Sequence, residues 1–204
     1  MAIKVIVFDL GKVLFDFDIP KLSKGISLHS DKSLNELSNF INTRWDSAFA
    51  YEKGEMTSTE FYNTVKKNLS FNAPYETFTS IWNDIFTPME QSINFLKNLK
   101  KLHLPVALLS NTNELHFDYL SAKHPEVFDC FNDLHVSHKM SARKPESKIY
   151  ADVINFYKMN PSEIFFTDDL DINIEAAKSA GIKGYTFKNV EKLTADLQAE
   201  GVNV

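Results

Sequence analysis

The feature that most constrains this chain is the run Ile3-Lys4-Val5-Ile6-Val7-Phe8, apolar at every position but Lys4 and ended by Asp9-Leu10-Gly11. A strand with one wet face alternates apolar and polar residues. A near-continuous run rich in β-branched side chains suits a strand covered on both faces of a parallel sheet. Residues 104–109 and 164–166 repeat the pattern, the latter followed by Thr167-Asp168-Asp169, and 134–136 and 184–187 are weaker versions. Pro105 opens its run, where a strand tolerates it. Helical spacing fills the gaps. Residues 89–102 place Ile93, Leu96, Leu99 and Leu102 on one face. Residues 145–157 open with Pro145 in a first turn and repeat Ile149, Val153, Ile154 and Phe156, and 172–180 end at Gly181. Strands alternating with helices predict an α/β fold, a doubly wound parallel sheet.

Residues 16–86 break that rhythm: no strand pattern, but helices expected over 33–41, 43–51, 57–69 and 75–86. The third opens with Thr57-Ser58-Thr59-Glu60, a capping box that satisfies free amides at a helix start. The many aromatics here, Phe61, Phe78 and Trp82 among them, read as a small core of its own. The expected organisation is an α/β core of residues 1–15 and 87–204 with an inserted helical cap at 16–86.

Composition narrows the function. At 204 residues and 44% hydrophobic, the chain can bury a core. A net charge of −5 without a basic cluster argues against nucleic acid and anionic membrane as partners. One cysteine, Cys130 in an apolar setting, permits no intrachain disulfide and suits a reducing compartment. The apolar N-terminal run is too short for a signal or membrane helix, so a soluble, cytoplasmic protein is expected, with a monomer favoured. The six histidines lack zinc-site spacing, and Gly11-Lys12 lacks the flanking residues of a nucleotide phosphate loop.

Four polar clusters fall at strand ends or just before helices: Asp9-Leu10-Gly11, Ser110-Asn111-Thr112-Asn113, Arg143-Lys144-Pro145-Glu146 and Asp168-Asp169. In open α/β sheets ligands bind beyond the carboxyl ends of the strands, so clusters distant in sequence can meet there. A nucleophilic carboxylate, hydroxyl and amide donors, a lysine and further carboxylates make a coherent set for metal-assisted phosphoryl transfer. Any one of the four is more often a turn or cap; it is their order that carries the argument.

That order resembles the four motifs of the haloacid dehalogenase (HAD) superfamily across essentially the whole chain, with the insertion similar to its first-type cap. More narrowly, Phe8-Asp9-Leu10-Gly11-Lys12-Val13-Leu14, Leu109-Ser110-Asn111-Thr112-Asn113 and Ala50-Tyr51-Glu52-Lys53-Gly54-Glu55-Met56-Thr57 resemble the branch containing bacterial α-glucose-1-phosphatase. The phosphatase domain fused to some epoxide hydrolases is a further relative. The resemblance implies a Rossmann-like HAD core and a magnesium-dependent phosphatase acting on a small phosphorylated metabolite, a hexose 1-phosphate being the expected example. It implies Asp9 as the nucleophile that forms an aspartyl-phosphate. Lys144 would neutralise nucleophile and phosphate, and Ser110 and Asn111 would hold phosphate oxygens at a helix start. Asp9, the Gly11 carbonyl and Asp169 would be the Mg²⁺ ligands. Asp169 is preferred to Asp168 because Asn173 follows it by four residues, leaving Asp168 to orient Lys144 or a metal-bound water.

One position departs from the pattern. Most phosphatases of the superfamily carry a second Asp two residues after the nucleophile, as general acid and base; here Gly11 keeps only the carbonyl. Such help is worth roughly 10²- to 10⁴-fold. Asp16 or Asp18, the substrate or a water are candidate replacements. The same loss raises two alternatives: a non-catalytic phosphometabolite-binding protein, and a 2-haloacid dehalogenase, which needs neither metal nor acid. Position in the cap makes Trp45 and Glu52 candidates for reading the leaving group.

Overall fold

The computed structural model describes residues 2–42, 46–102 and 104–204. In chain order its first elements are β1 (Val5–Phe8), β2 (Phe15–Phe17), α1 (Ile19–Ser27), α2 (Leu34–Asn42), α3 (Asp46–Glu52), α4 (Ser58–Leu69), α5 (Tyr75–Asn83) and β3 (Phe86–Pro88). There follow α6 (Glu90–Leu99), β4 (Val106–Ser110), α7 (Glu114–Lys123), α8 (Pro125–Phe128), β5 (Asp133–Val136) and α9 (Ser137–Met140). The chain closes with α10 (Ser147–Tyr157), β6 (Ile164–Asp168), α11 (Asp171–Ser179), β7 (Lys183–Thr186) and α12 (Val190–Ala199).

The sheet runs β5-β4-β1-β6-β7, all parallel. All four side chains of β1 are buried because both faces are covered. Val5, Val7, Ala107 and Phe166 pack with Ile149, Val153 and Ile174 of α10 and α11. Ile6, Phe8, Leu108 and Phe165 pack with Leu96, Leu120 and Leu197 of α6, α7 and α12. Strand order reverses at β1, so the ends of β1, β4 and β6 open onto one crevice, where this topology places ligands.

Helices α1–α5 form a separate cluster around Phe61, Phe71, Phe78 and Trp82. The Thr57–Glu60 capping box is present at the start of α4. Chain enters and leaves this unit through an antiparallel ribbon, Phe15–Phe17 of β2 against Phe86–Pro88 of β3. The helix expected over 75–86 therefore stops at Asn83, since Phe86 is needed opposite Phe17. Helix α1, which apolar spacing did not signal, has Asp18 as its cap and a proline in its first turn. The helix expected over 43–51 is seen from Asp46 onward; residues 43–45, including Trp45, lie outside the described residues. Helix α10 begins at Ser147, after Pro145, whose peptide bond to Lys144 is cis, so Pro145 is not a first-turn residue. Phe156 and Leu102 are exposed rather than core: the regular helix α6 ends at Leu99 and a 3₁₀ turn follows. No described helix is long and apolar enough to cross a membrane.

Candidate active site

Asp9 follows β1, and its amide still donates to the Thr167 carbonyl of β6 (2.9 Å), which fixes the carboxylate at the mouth of the crevice. Beside it lies Lys144, fully buried, with Nζ 2.7 Å from Asp9 Oδ1 and 2.6 Å from Asp168 Oδ2. Nζ also donates to the Leu109 carbonyl at 2.8 Å. A buried ammonium is held in this way only by opposite charge and hydrogen bonds. Burial alone would lower the Lys144 pKa, but Asp9 and Asp168 outweigh it and raise it.

Lys144 is held in place by Asn111. The Asn111 side-chain oxygen accepts from the Lys144 amide (2.8 Å) and its Nδ2 donates to the Lys144 carbonyl (2.9 Å). That pair of bonds joins the loop after β4 to the loop before α10. The helix start itself is closed by Asn113, which caps α7 by accepting from the His116 amide at 3.0 Å, while the Asn111 side chain is committed to Lys144.

Asp168 ends β6 with no exposed surface. Its Oδ1 accepts from the Leu170 amide and Asn173 Nδ2 (both 2.9 Å), while Oδ2 accepts from Asn173 Nδ2 at 3.0 Å and from Lys144. The sequence spacing linked Asn173 to Asp169; in the structure Asn173 serves Asp168. Tyr150 Oη in turn donates to the Asn173 carbonyl at 2.8 Å. With its lone pairs so engaged, Asp168 is a rigid anchor for Lys144.

Asp169 is half-buried and contributes an oxygen to a cluster with Asp9 and Asp168 in which all three lie within 4.8 Å of one another. Among the described residues it is the cluster of carboxylates that could hold a metal ion. Burial, opposed by Lys144 and reinforced by Asp168, pushes Asp9 up to about 7. Burial and the neighbouring Asp168 raise Asp169 as well. Three carboxylates against one ammonium leave a local deficit of positive charge, and the donors are hard oxygens. The set fits a divalent cation of the Mg²⁺ type.

Gly11 lies in the tight turn between β1 and β2. A Cβ there would stand 3.0 Å from Cε1 of Phe17, so a side chain at this position would press on the edge of the Phe17 ring. The candidate acids downstream are engaged elsewhere. Asp16 pairs with Lys12, which holds its pKa down, and Asp18 caps α1 by accepting from the Lys21 amide at 2.8 Å.

Next to the cluster, between the α1–α5 unit and the sheet, is a cavity of about 430 Å³. Its floor is Leu10-Gly11 and Ser110-Asn111-Thr112-Asn113; its walls include Phe17, Ile41, Phe49, Trp82, Ile85, Phe86, His116 and Glu52. Glu52 Oε2 accepts from Arg143 Nε (3.1 Å) and Nη2 (2.9 Å), and the guanidinium lies 4.1 Å from the centre of the Phe49 ring. Burial raises the Glu52 pKa against the opposing effect of Arg143. His116 stacks on Trp82 at 4.9 Å, and burial pushes its pKa down to about 4. Gly54 lets the turn after α3 press on the core: its φ is +70°, and a Cβ would lie 2.2 Å from the His138 carbonyl oxygen. Sequence reasoning named Glu52 for this wall and placed Arg143 only in the cluster before α10; it did not name Phe17 or His116 as wall residues. Neither Phe17 nor His116 stands in a motif; the chain brings them together with Glu52 and Arg143 only when α3 and α5 dock.

A family model described as haloacid dehalogenase-like hydrolase matches residues 3–181. The chain belongs to this family. Among solved structures, a HAD family enzyme from Bacteroides thetaiotaomicron, in complex with magnesium and inorganic phosphate, superposes with a TM-score of 0.84. It is 26% identical over 94% of this chain and 98% of that one. Among curated relatives, the sesquiterpene phosphatase astK of Aspergillus oryzae is 24% identical over 89% of this chain and 88% of its own length. The drimenol cyclase drtB of Aspergillus calidoustus is 25% identical over 96% of this chain, which spans only 36% of the cyclase.

Proposed function

We propose that this HAD hydrolase is a Mg²⁺-dependent phosphomonoesterase acting on a small phosphorylated metabolite through an aspartyl-phosphate on Asp9. The observation that carries the reading is the buried Lys144 held between Asp9 and Asp168, with Asp169 completing a set of oxygen donors. The magnesium and phosphate bound by the Bacteroides enzyme, and the phosphatase named among the relatives, support it. In this reading the Asp9 carboxylate attacks phosphorus, the bond to the leaving alcohol breaks, and water then releases phosphate from Asp9. Lys144 favours the ionised form of Asp9 against its burial and offsets phosphate charge, and Ser110 and the Asn111 loop hold the phosphate oxygens. Asp9, the Gly11 carbonyl and Asp169 hold Mg²⁺, which when bound supplies further positive charge against those oxygens. With no side chain on Gly11 to act as an acid, the leaving oxygen takes its proton from water. Residues 1–15 and 87–204 form the catalytic core, and 16–86 the cap over the leaving group.

The test is phosphate release from a panel of phosphomonoesters, with and without Mg²⁺, for wild type and Asp9→Asn. Release that EDTA abolishes, Mg²⁺ restores and Asp9→Asn lowers by at least about 10⁴-fold is expected. No release from any member by the wild type would favour a phosphometabolite-binding protein. A dehalogenase is disfavoured because a halide-displacing site has no use for three crowded carboxylates. A hexose 1-phosphate, expected from the resemblance, belongs in the panel; the cavity argues for another member.

A further inference from the structure

Resting on the phosphatase reading, we infer that the alcohol part of the substrate is an apolar hydrocarbon and not a polyol. The cavity beside the carboxylate–lysine cluster is walled by Phe17, Ile41, Phe49, Trp82, Ile85 and Phe86. At roughly 30 Å³ for a water-sized group, its volume of about 430 Å³ takes on the order of a dozen heavy atoms. That is the size of a medium-chain alkyl group.

Asn111, Asn113, His116 and Glu52 on the described cavity wall are engaged with the protein itself, while Ser110 stands on the floor where the phosphate would lie. Asn111 spends both amide atoms on the Lys144 backbone. Asn113 Oδ1 accepts from the His116 amide and from Trp82 Nε1 at 3.4 Å. His116 Nε2 lies 3.0 Å from the Trp82 carbonyl, and Glu52 is tied to Arg143. A sugar entering this space would surrender water from several hydroxyls with few partners to replace it, which is a loss for each hydroxyl left unpaired. A hydrocarbon gives up nothing and gains on every methylene buried.

The contact between Gly11 and Phe17 points the same way. Where an acidic side chain would bring a polar group to the leaving oxygen, the ring of Phe17 extends the apolar wall down to the turn that follows Asp9. Gly11 and Phe17 thus line the cavity together without contributing a charged group.

The experiment uses the full chain with Mg²⁺ and two series of ligands. The first is straight-chain alkyl phosphates from ethyl to dodecyl, with a hexose 1-phosphate for comparison, read as kcat/KM. We expect kcat/KM to rise about fourfold per methylene until the cavity is full, and decyl phosphate to exceed the hexose 1-phosphate by at least about 100-fold. A flat series, or preference for the hexose phosphate, would overturn the inference. The second series is the matching alkylphosphonates, which cannot be hydrolysed, read as affinity by calorimetry. Rising affinity without turnover of any phosphate would sink the phosphatase reading and leave the apolar site standing. Turnover with affinity independent of chain length would do the reverse. Ala48, which also lines the cavity, supplies a check on location. Ala48→Phe should move the optimum to chains several carbons shorter; an optimum that stays in place would mean the chain lies elsewhere.

Discussion

At the strand ends, Asp9, Asp168 and Asp169 crowd around one ammonium, and hydrogen bonds from Asn111, Asn173 and Leu170 fix the groups that carry charge. A few residues away, beneath α2, α3 and α5, the wall is largely aromatic and aliphatic, and Asn113, His116 and Trp82 on it are hydrogen-bonded to one another. The first region is built for charge it does not itself balance, the second for a surface that prefers to leave water. Together they describe a ligand with an anionic head and an apolar body. The two regions should also fail differently when altered.

The largest expected effect is in the charged region. Lys144→Met leaves Asp9 and Asp168 buried side by side with no counter-charge. Removing one partner of a buried pair costs about 3–5 kcal/mol, so the variant should unfold at distinctly lower urea concentration and release no measurable phosphate. Were it as stable as wild type, the ion pair would not organise the strand ends, and the contrast between the regions would collapse.

The second effect separates the regions by pH. His116 sits at the cavity wall against Trp82, and burial holds its pKa at about 4, against about 6.5 for a free histidine. Between those values the unfolded chain binds a proton that the folded one refuses. The histidine's contribution is therefore fully present above pH 6.5 and is lost as pH falls toward 4, by up to about 3 kcal/mol. His116→Phe should flatten that part of the stability profile. Denaturant unfolding of both proteins at pH 7.5 and 4.5 measures it, and identical pH slopes would show that the cavity wall does not exclude charge.

The same contrast explains what could be read in advance. The charged region was legible because each of its residues stands at the end of an apolar run or before a helix, where sequence order alone carries information: Asp9 after Phe8, Asp168-Asp169 after Phe166. The parallel sheet followed from the same runs. The cavity was not legible, because Phe17, Ile41, Trp82 and His116 come from a ribbon and three separate helices, and nothing local marks an aromatic as a wall and not as core. The β2–β3 ribbon was missed for a related reason: three-residue strands are too short for a period. The Asn111 clamp on Lys144 was not legible because its partner, the Lys144 backbone, is thirty-three residues away.

The smallest effect tests whether the α1–α5 unit can be weakened without touching the chemistry. Thr57 Oγ1 accepts from the Glu60 amide at 3.2 Å, and Glu60 Oε2 accepts from the Thr57 amide at 2.8 Å, closing the start of α4. Neither residue lines the cavity or reaches the carboxylate cluster. Thr57→Ala should cost about 1 kcal/mol, a fall in Tm of about 2–4 °C for a chain of this size. Turnover and chain-length preference should be unchanged, because Phe61 and Phe78 still hold α4 and α5 together from within. If preference for long chains weakened along with Tm, the cavity would depend on the marginal stability of the α1–α5 unit and not on its packed aromatic core. The apolar region would then be an adjustable surface, unlike the fixed charged one beside it.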